Sequence, residues 1–197
     1  MRKVHVMKTP GLFLLLFCAL ALVGAQDPPL MFYSNADRIS TLRKNDPEMY
    51  QRILAPVQAH MEAYFDGDMA KLQKAWKETG VVQIDRTTFE GEQSKVLTTR
   101  QSISAWISEV EVEIKKLGLE DWKLLQRKPQ HDLILTVLSF TSQGALVLVE
   151  NPMAYSMGPD SEGDAIGDKL LLFKVFHNAY PKDATIQQMT LGIGNGC

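Results

Sequence analysis

Apolar residues recur every three or four positions in three stretches of the chain, a spacing that predicts three amphipathic helices. The first helix follows Asp46-Pro47, a capping side chain before a first-turn proline, and it extends to Phe65. The second is short and carries Trp76 near its end. The third follows a capping box at Thr98–Gln101 and closes before Gly118.

After Gly118 the apolar period changes from 3.6 to 2, which predicts strands. Trp122 to Lys128 alternates loosely, and a β-branched strand is predicted earlier, at 81–85. The remaining predicted strands are 133–140, 145–150, 153–157, 169–177 and 185–193, with 158–168 as a polar loop. Helices followed by strands indicate an α+β fold, in which three N-terminal helices pack in the concave face of a strongly curved antiparallel or mixed sheet. Such a sheet forms a cone with an apolar interior.

The first 25 residues form a separate unit that predicts export. A basic start at Arg2 and Lys3 precedes the uncharged apolar run Gly11–Val23, and Ala25 stands directly before the predicted cut at Gln26. The alternative is a membrane anchor, but the run is shorter than the ~20 residues that a spanning helix needs. We therefore expect a secreted protein with no membrane segment after cleavage, an N-terminal arm at 26–45 and one domain at 46–197.

Composition and charge narrow the function classes. The formal net charge is −2 and no basic cluster occurs, so a nucleic-acid partner is not predicted. Zinc-ligand spacings, P-loops and dinucleotide-binding motifs are absent from the sequence, and no metal or other cofactor is predicted. Cleavage of the leader leaves Cys197 as the only cysteine, which in an oxidising compartment is either capped or bonded to another chain.

Three segments carry a family resemblance. Residues Ala63–Asp85 read as a helix, a Gly-Asp turn, a short helix ending in an aromatic residue, and a strand. Gly91 with Ser102–Trp106, and the closing runs GDKLLLFKVF and TIQQMTLG, follow in the same order. This order resembles the NTF2-like superfamily, which includes SnoaL-type cyclases, ketosteroid isomerases and scytalone dehydratases. Over about residues 50–193, the resemblance implies a cone that binds a small hydrophobic molecule and a homodimer formed through the sheet.

The resemblance also implies catalytic candidates. In the isomerase-like members an acid near the end of the first strand acts as base, and a tyrosine on the first helix polarises a carbonyl. Asp85 is the nearby acid here, and burial beside Trp76 and Trp106 would raise its pKa towards that of a general base. The alternative for Asp85 is a strand-end carboxylate in solvent, bonded to Arg86 or to a turn amide.

The family's catalytic positions do not align directly with Asp85 and Tyr64 in this chain. Counted without gaps from Gly67, the family's acid falls on Ile84 and its tyrosine on His60. Asp85 matches only after a one-residue slip, which reverses the face that a side chain occupies. His60 is the second candidate, with a half-buried structural histidine as the alternative, and Tyr64, one helical turn away, is the third.

Bulky side chains at core-spaced positions are expected to line the cone, namely Trp76, Trp106, Tyr155, Phe173, His177 and Met189. Three functions remain open. The first is a secreted, non-catalytic or weakly catalytic domain that binds a small apolar ligand in its cone and pairs with itself. The second is an isomerase, dehydratase or cyclase for a lipid-like or polyketide-like substrate, with Asp85 as base. The third is a secreted interaction module whose cone is filled with side chains.

Overall fold

One mixed sheet organises the protein. The computed structural model describes residues 31–34, 40–90, 93–127, 132–150, 169–177 and 184–194. The predicted leader at 1–25, the predicted strand at 153–157 that includes Tyr155, and Cys197 lie outside the described residues. The helices are α1 Ser40–Asn45, α2 Pro47–Asp66, α3 Met69–Lys74, α4 Ile103–Leu117 and α5 Leu119–Arg127. The strands are β1 Met31–Ser34, β2 Trp76–Glu90, β3 Gln93–Ser102, β4 Asp132–Phe140, β5 Gly144–Glu150, β6 Lys169–Phe176 and β7 Thr185–Gly194.

The strands lie in the order β1-β4-β5-β6-β7-β2-β3. The β1–β4 and β7–β2 pairs are parallel and the other pairs are antiparallel. In the described residues β3 is therefore an edge strand, and β5, β6 and β7 are central. The α+β class with a mixed sheet is confirmed.

The long helix α2 begins and ends where the sequence predicts. The Asp46 side chain accepts a hydrogen bond from the Met49 backbone N–H at 2.9 Å, and Pro47 occupies the first turn. Gly67 ends the helix with φ 69°, a left-handed conformation that glycine adopts without steric penalty. Asp68 then caps α3 by accepting from the Lys71 backbone N–H at 2.9 Å.

Two predictions on the region around α4 are wrong. Leu119–Arg127 forms the helix α5 rather than a loosely alternating strand, because Trp122 and Gln126, four residues apart, both turn into the protein. The Trp122 indole N–H also donates to the Tyr64 backbone carbonyl at 2.8 Å, which fixes α5 on α2. The capping box is displaced as well: Thr98 and Gln101 lie on β3, and Ser102 caps α4.

The core lies between the helices and one face of the sheet, which we call the inner face. Alternate residues of β5 and β6 point to it, among them Val147 and Phe173, which are fully buried. The stripe of α2 packs against this face through Ile53, Val57 and Met61. No helix in the described residues is long and apolar enough to cross a membrane.

Candidate functional site

The hollow between α2, α4 and the inner face is occupied by an aromatic cluster centred on His60. His60 lies on α2 and is 2% exposed. Its Nδ1 accepts a hydrogen bond of 2.9 Å from the Trp76 indole N–H. Because Nδ1 is the acceptor, the proton of the neutral imidazole lies on Nε2. The Trp106 ring stacks on the imidazole at 5.8 Å, and Phe173 meets it edge-on at 5.0 Å.

Burial sets the protonation of this cluster. It lowers the pKa of His60 from 6.5 to about 3, because a charged imidazolium loses its hydration among apolar rings. It raises the pKa of Tyr64 from 10.0 to about 12 for the corresponding reason. Both groups are therefore neutral over the whole physiological range. Neither pKa is near the value that an efficient general acid or base needs at neutral pH.

The space left inside the hollow is small. A cavity of about 30 Å³ remains, lined by His60, Met61, Tyr64, Trp106, Leu171, Met189 and Leu191. A water molecule needs at least about 10–15 Å³ of such volume, whereas pockets for small-molecule ligands measure about 300–1,000 Å³. The cavity therefore has room for about one water molecule. The side chains of the described residues themselves fill the hollow.

Asp85 lies on the opposite face of the sheet from this cluster. Val82 and Ile84 of β2 are buried on the inner face, so the alternation of the strand directs Asp85 outward, where it is half-exposed. The Thr98 hydroxyl donates to its carboxylate at 2.7 Å, and the Gln83 amide donates to both oxygens at 3.1 and 3.0 Å.

These hydrogen bonds, from Thr98 first and then Gln83, hold the pKa of Asp85 below its usual value, and the charge of Arg100 adds to the effect. The expectation of a buried Asp85 with a raised pKa is therefore wrong. The alternative, a carboxylate in solvent, describes it better, although its partners are Thr98 and Gln83 instead of Arg86 or a turn amide.

The remaining predicted pocket residues divide into two groups. Trp76, Trp106, Phe173 and Met189 are all buried in the core, and Trp106 and Met189 border the small cavity. His177 is 1% exposed but lies after β6, where its ring stacks on Phe140 at 4.9 Å, away from the cavity lining. The structure therefore does not bring His177 together with His60.

Three cavity residues were not among the predicted site residues: Met61, Leu171 and Leu191. The signal for them was present, since Leu171 and Leu191 alternate in step with the buried positions of β6 and β7, and Met61 belongs to the α2 stripe. Over the described residues, no group of three or more His, Cys, Asp or Glu side chains could hold a metal ion.

No protein-family model and no curated protein matches the chain. Among solved structures it is similar to an NTF2-like protein with a cystatin-like fold from Novosphingobium aromaticivorans (14% identity, 81% of this chain and 92% of that chain, TM-score 0.43). It is also similar to an NTF2-like protein of unknown function from Silicibacter pomeroyi (16% identity, 75% and 97%, TM-score 0.42). A third is a ketosteroid isomerase-like protein from Erwinia carotovora (14% identity, 74% and 96%, TM-score 0.41).

The arrangement found here, with helices on one face of a mixed sheet, agrees with the α+β fold that the sequence predicts. At these identities and TM-scores, no activity, ligand or partner of those proteins carries over to this chain.

Proposed function

We propose that the protein is an exported, non-catalytic NTF2-like domain whose hollow is filled by its own side chains and which acts by association, first of all with a second copy of itself. The observation that carries this proposal is the cavity of about 30 Å³, too small for a metabolite and bordered by two neutral groups. Export is proposed from the leader pattern at residues 1–25.

Each of the other two functions requires a feature that the described residues do not provide. An isomerase, dehydratase or cyclase needs a base beside its substrate, and Asp85 lies on the other face of the sheet with a lowered pKa. A small apolar ligand in the cone needs several hundred Å³ of space, which would require the rings around His60 to move apart. The filled-cone hypothesis requires neither change.

The surface offered for association is the outer face of the sheet, the face opposite the helices. It carries Leu146 and Leu148 on β5 and Leu172 on β6, all half-exposed, on two central strands. Leu148 and Leu172 are direct cross-strand partners, so their side chains lie side by side. Adjacent apolar side chains on an exposed face are typical of an interaction surface.

Analytical ultracentrifugation of the mature protein, purified from culture medium and kept under reducing conditions, tests the proposal. We expect a dimer for the wild type and monomers for the variants Leu148→Asp and Leu172→Asp. The matched control is Val112→Asp, which makes the same kind of change at a 48% exposed apolar residue of α4, in the helix layer. It is expected to remain dimeric. Far-ultraviolet circular dichroism establishes that each variant is folded.

Two results would overturn the proposal. One is a wild type that stays monomeric throughout the micromolar range. The other is an organic molecule that solvent extraction releases stoichiometrically from the folded protein, since this would mean that the hollow opens to a ligand.

A further inference from the structure

The edge of the sheet at β3 is long and regular. The strand pairs with β2 through ten consecutive residue pairs without a bulge, and it contains no proline. Within the described residues no strand pairs with its other side, and the opposite edge strand, β1, has only four residues. Proteins usually shorten, bend or interrupt an exposed edge, because its unpaired backbone N–H and C=O groups accept another strand. The β3 edge is neither short nor interrupted, so its backbone can accept one.

The side chains along this edge are open to a partner strand. Every residue from Lys95 to Arg100 is exposed, and the aliphatic side chains of Val96 and Leu97 are each 57% exposed. Because strand side chains alternate, these two neighbours lie on opposite sides of the strand. A strand added at the edge places one of its own side chains beside each of them. Apolar side chains at those two positions would cover apolar surface on both sides.

The charges of β3 favour an acidic partner strand over a second copy of β3. The strand carries two cations, Lys95 and Arg100, and no acid. The Arg100 Nε donates to the Gln83 side chain at 2.8 Å, whereas Lys95 forms no ion pair within the part of the chain that the structure describes. Antiparallel pairing of two β3 strands about the centre of 95–100 would place Lys95 opposite Arg100 twice, and like charges directly opposite are destabilising. An acid beside Lys95 is instead favourable.

We propose that the β3 edge binds an extended segment of another protein by strand addition, with an acidic residue beside Lys95 and apolar residues beside Val96 and Leu97. In this mode of recognition the backbone hydrogen bonds supply affinity, and the side chains at these three positions supply selectivity. The edge is separate from the outer face of the sheet. The inference therefore does not rest on self-association, and a monomeric wild type leaves it standing.

Fluorescence anisotropy with short labelled peptides tests this binding on the chain without residues 1–25. The probe is Ser-Thr-Thr-Val-Val-Glu-Ser, which in antiparallel register places its glutamate beside Lys95 and its two valines beside Val96 and Leu97. We expect a dissociation constant of about 1 mM or tighter. The same peptide with lysine in place of glutamate is expected to bind at least about threefold more weakly. A peptide with proline in place of the first valine is expected not to bind, because proline cannot donate to the ladder.

Charge reversal on the protein makes the test specific to this edge. Lys95→Glu is expected to weaken binding of the glutamate peptide at least about threefold and to strengthen binding of the lysine peptide by a similar factor. The matched control is Lys115→Glu, which makes the same change at an exposed residue of α4. It is expected to leave the binding of both peptides unchanged. Far-ultraviolet circular dichroism establishes that both variants are folded.

Amide hydrogen exchange followed by NMR locates the bound peptide. Every second backbone N–H of β3 points away from β2, and these amides are expected to exchange rapidly in the protein alone and slowly once the glutamate peptide is bound. Failure of the glutamate peptide to bind, or binding that does not slow these amides, would overturn the proposal. Slow exchange of the same amides before any peptide is added would also overturn it, because another part of the chain or a second copy would then already cover the edge.

Discussion

The buried, neutral state of His60 makes the stability of the protein depend on pH in a way that can be calculated. The folded-state pKa is about 3, against 6.5 for an unperturbed histidine. Between these values the unfolded chain binds a proton that the folded chain excludes, so the free energy of unfolding decreases as the pH falls through this window. The full shift corresponds to about 5 kcal/mol, and about 3 kcal/mol of it is lost by about pH 4.5.

The variant His60→Asn removes the titrating group and retains an oxygen that can accept from the Trp76 indole. Urea unfolding, followed by tryptophan fluorescence at about pH 7 and about pH 4.5, gives the loss of stability on acidification for each protein. We expect this loss to be about 3 kcal/mol smaller in the variant, whatever its stability at pH 7. Equal losses in the two proteins would refute the reasoning. A proton NMR titration of wild-type His60 provides an independent reading and is expected to show no protonation above about pH 4.

Three further predictions concern single residues. Gly67→Ala places a Cβ 2.6 Å from the Leu119 side chain at a residue with φ 69°, so we expect a loss of more than about 1 kcal/mol in thermal unfolding, and an unchanged stability would contradict this. The Asp85 carboxyl is expected to titrate below its ordinary value in carbon NMR, and a value above it would revive the general-base hypothesis. Cys197→Ser is expected to leave the proposed dimer intact in ultracentrifugation without reductant, and a monomer there would show that a disulfide holds the copies together.

The helices that begin and end at strong local signals could be predicted from the sequence. Asp46 and Gly67 act through their nearest backbone neighbours, so no knowledge of the tertiary structure is needed to place the ends of α2. The helix α5 is different. The contact of Trp122 with Tyr64, which holds this helix against α2, joins residues far apart in the sequence.

The candidate site depended even more on tertiary information. Whether Asp85 points inward is decided by the register of β2, and one residue of register reverses the face. The Trp76–His60 hydrogen bond joins two elements whose approach no local pattern specifies. Whether the hollow is filled depends on all of its side chains together, because a single aromatic ring more or fewer would change a filled core into an open pocket.

Native mass spectrometry of the chain without residues 1–25, handled under reducing conditions, tests the central claim most directly. The predicted species is a complex of two chains with the mass of the polypeptide alone and no bound organic molecule. A monomer that carries a small molecule would contradict both the filled hollow and the association through the outer face of the sheet.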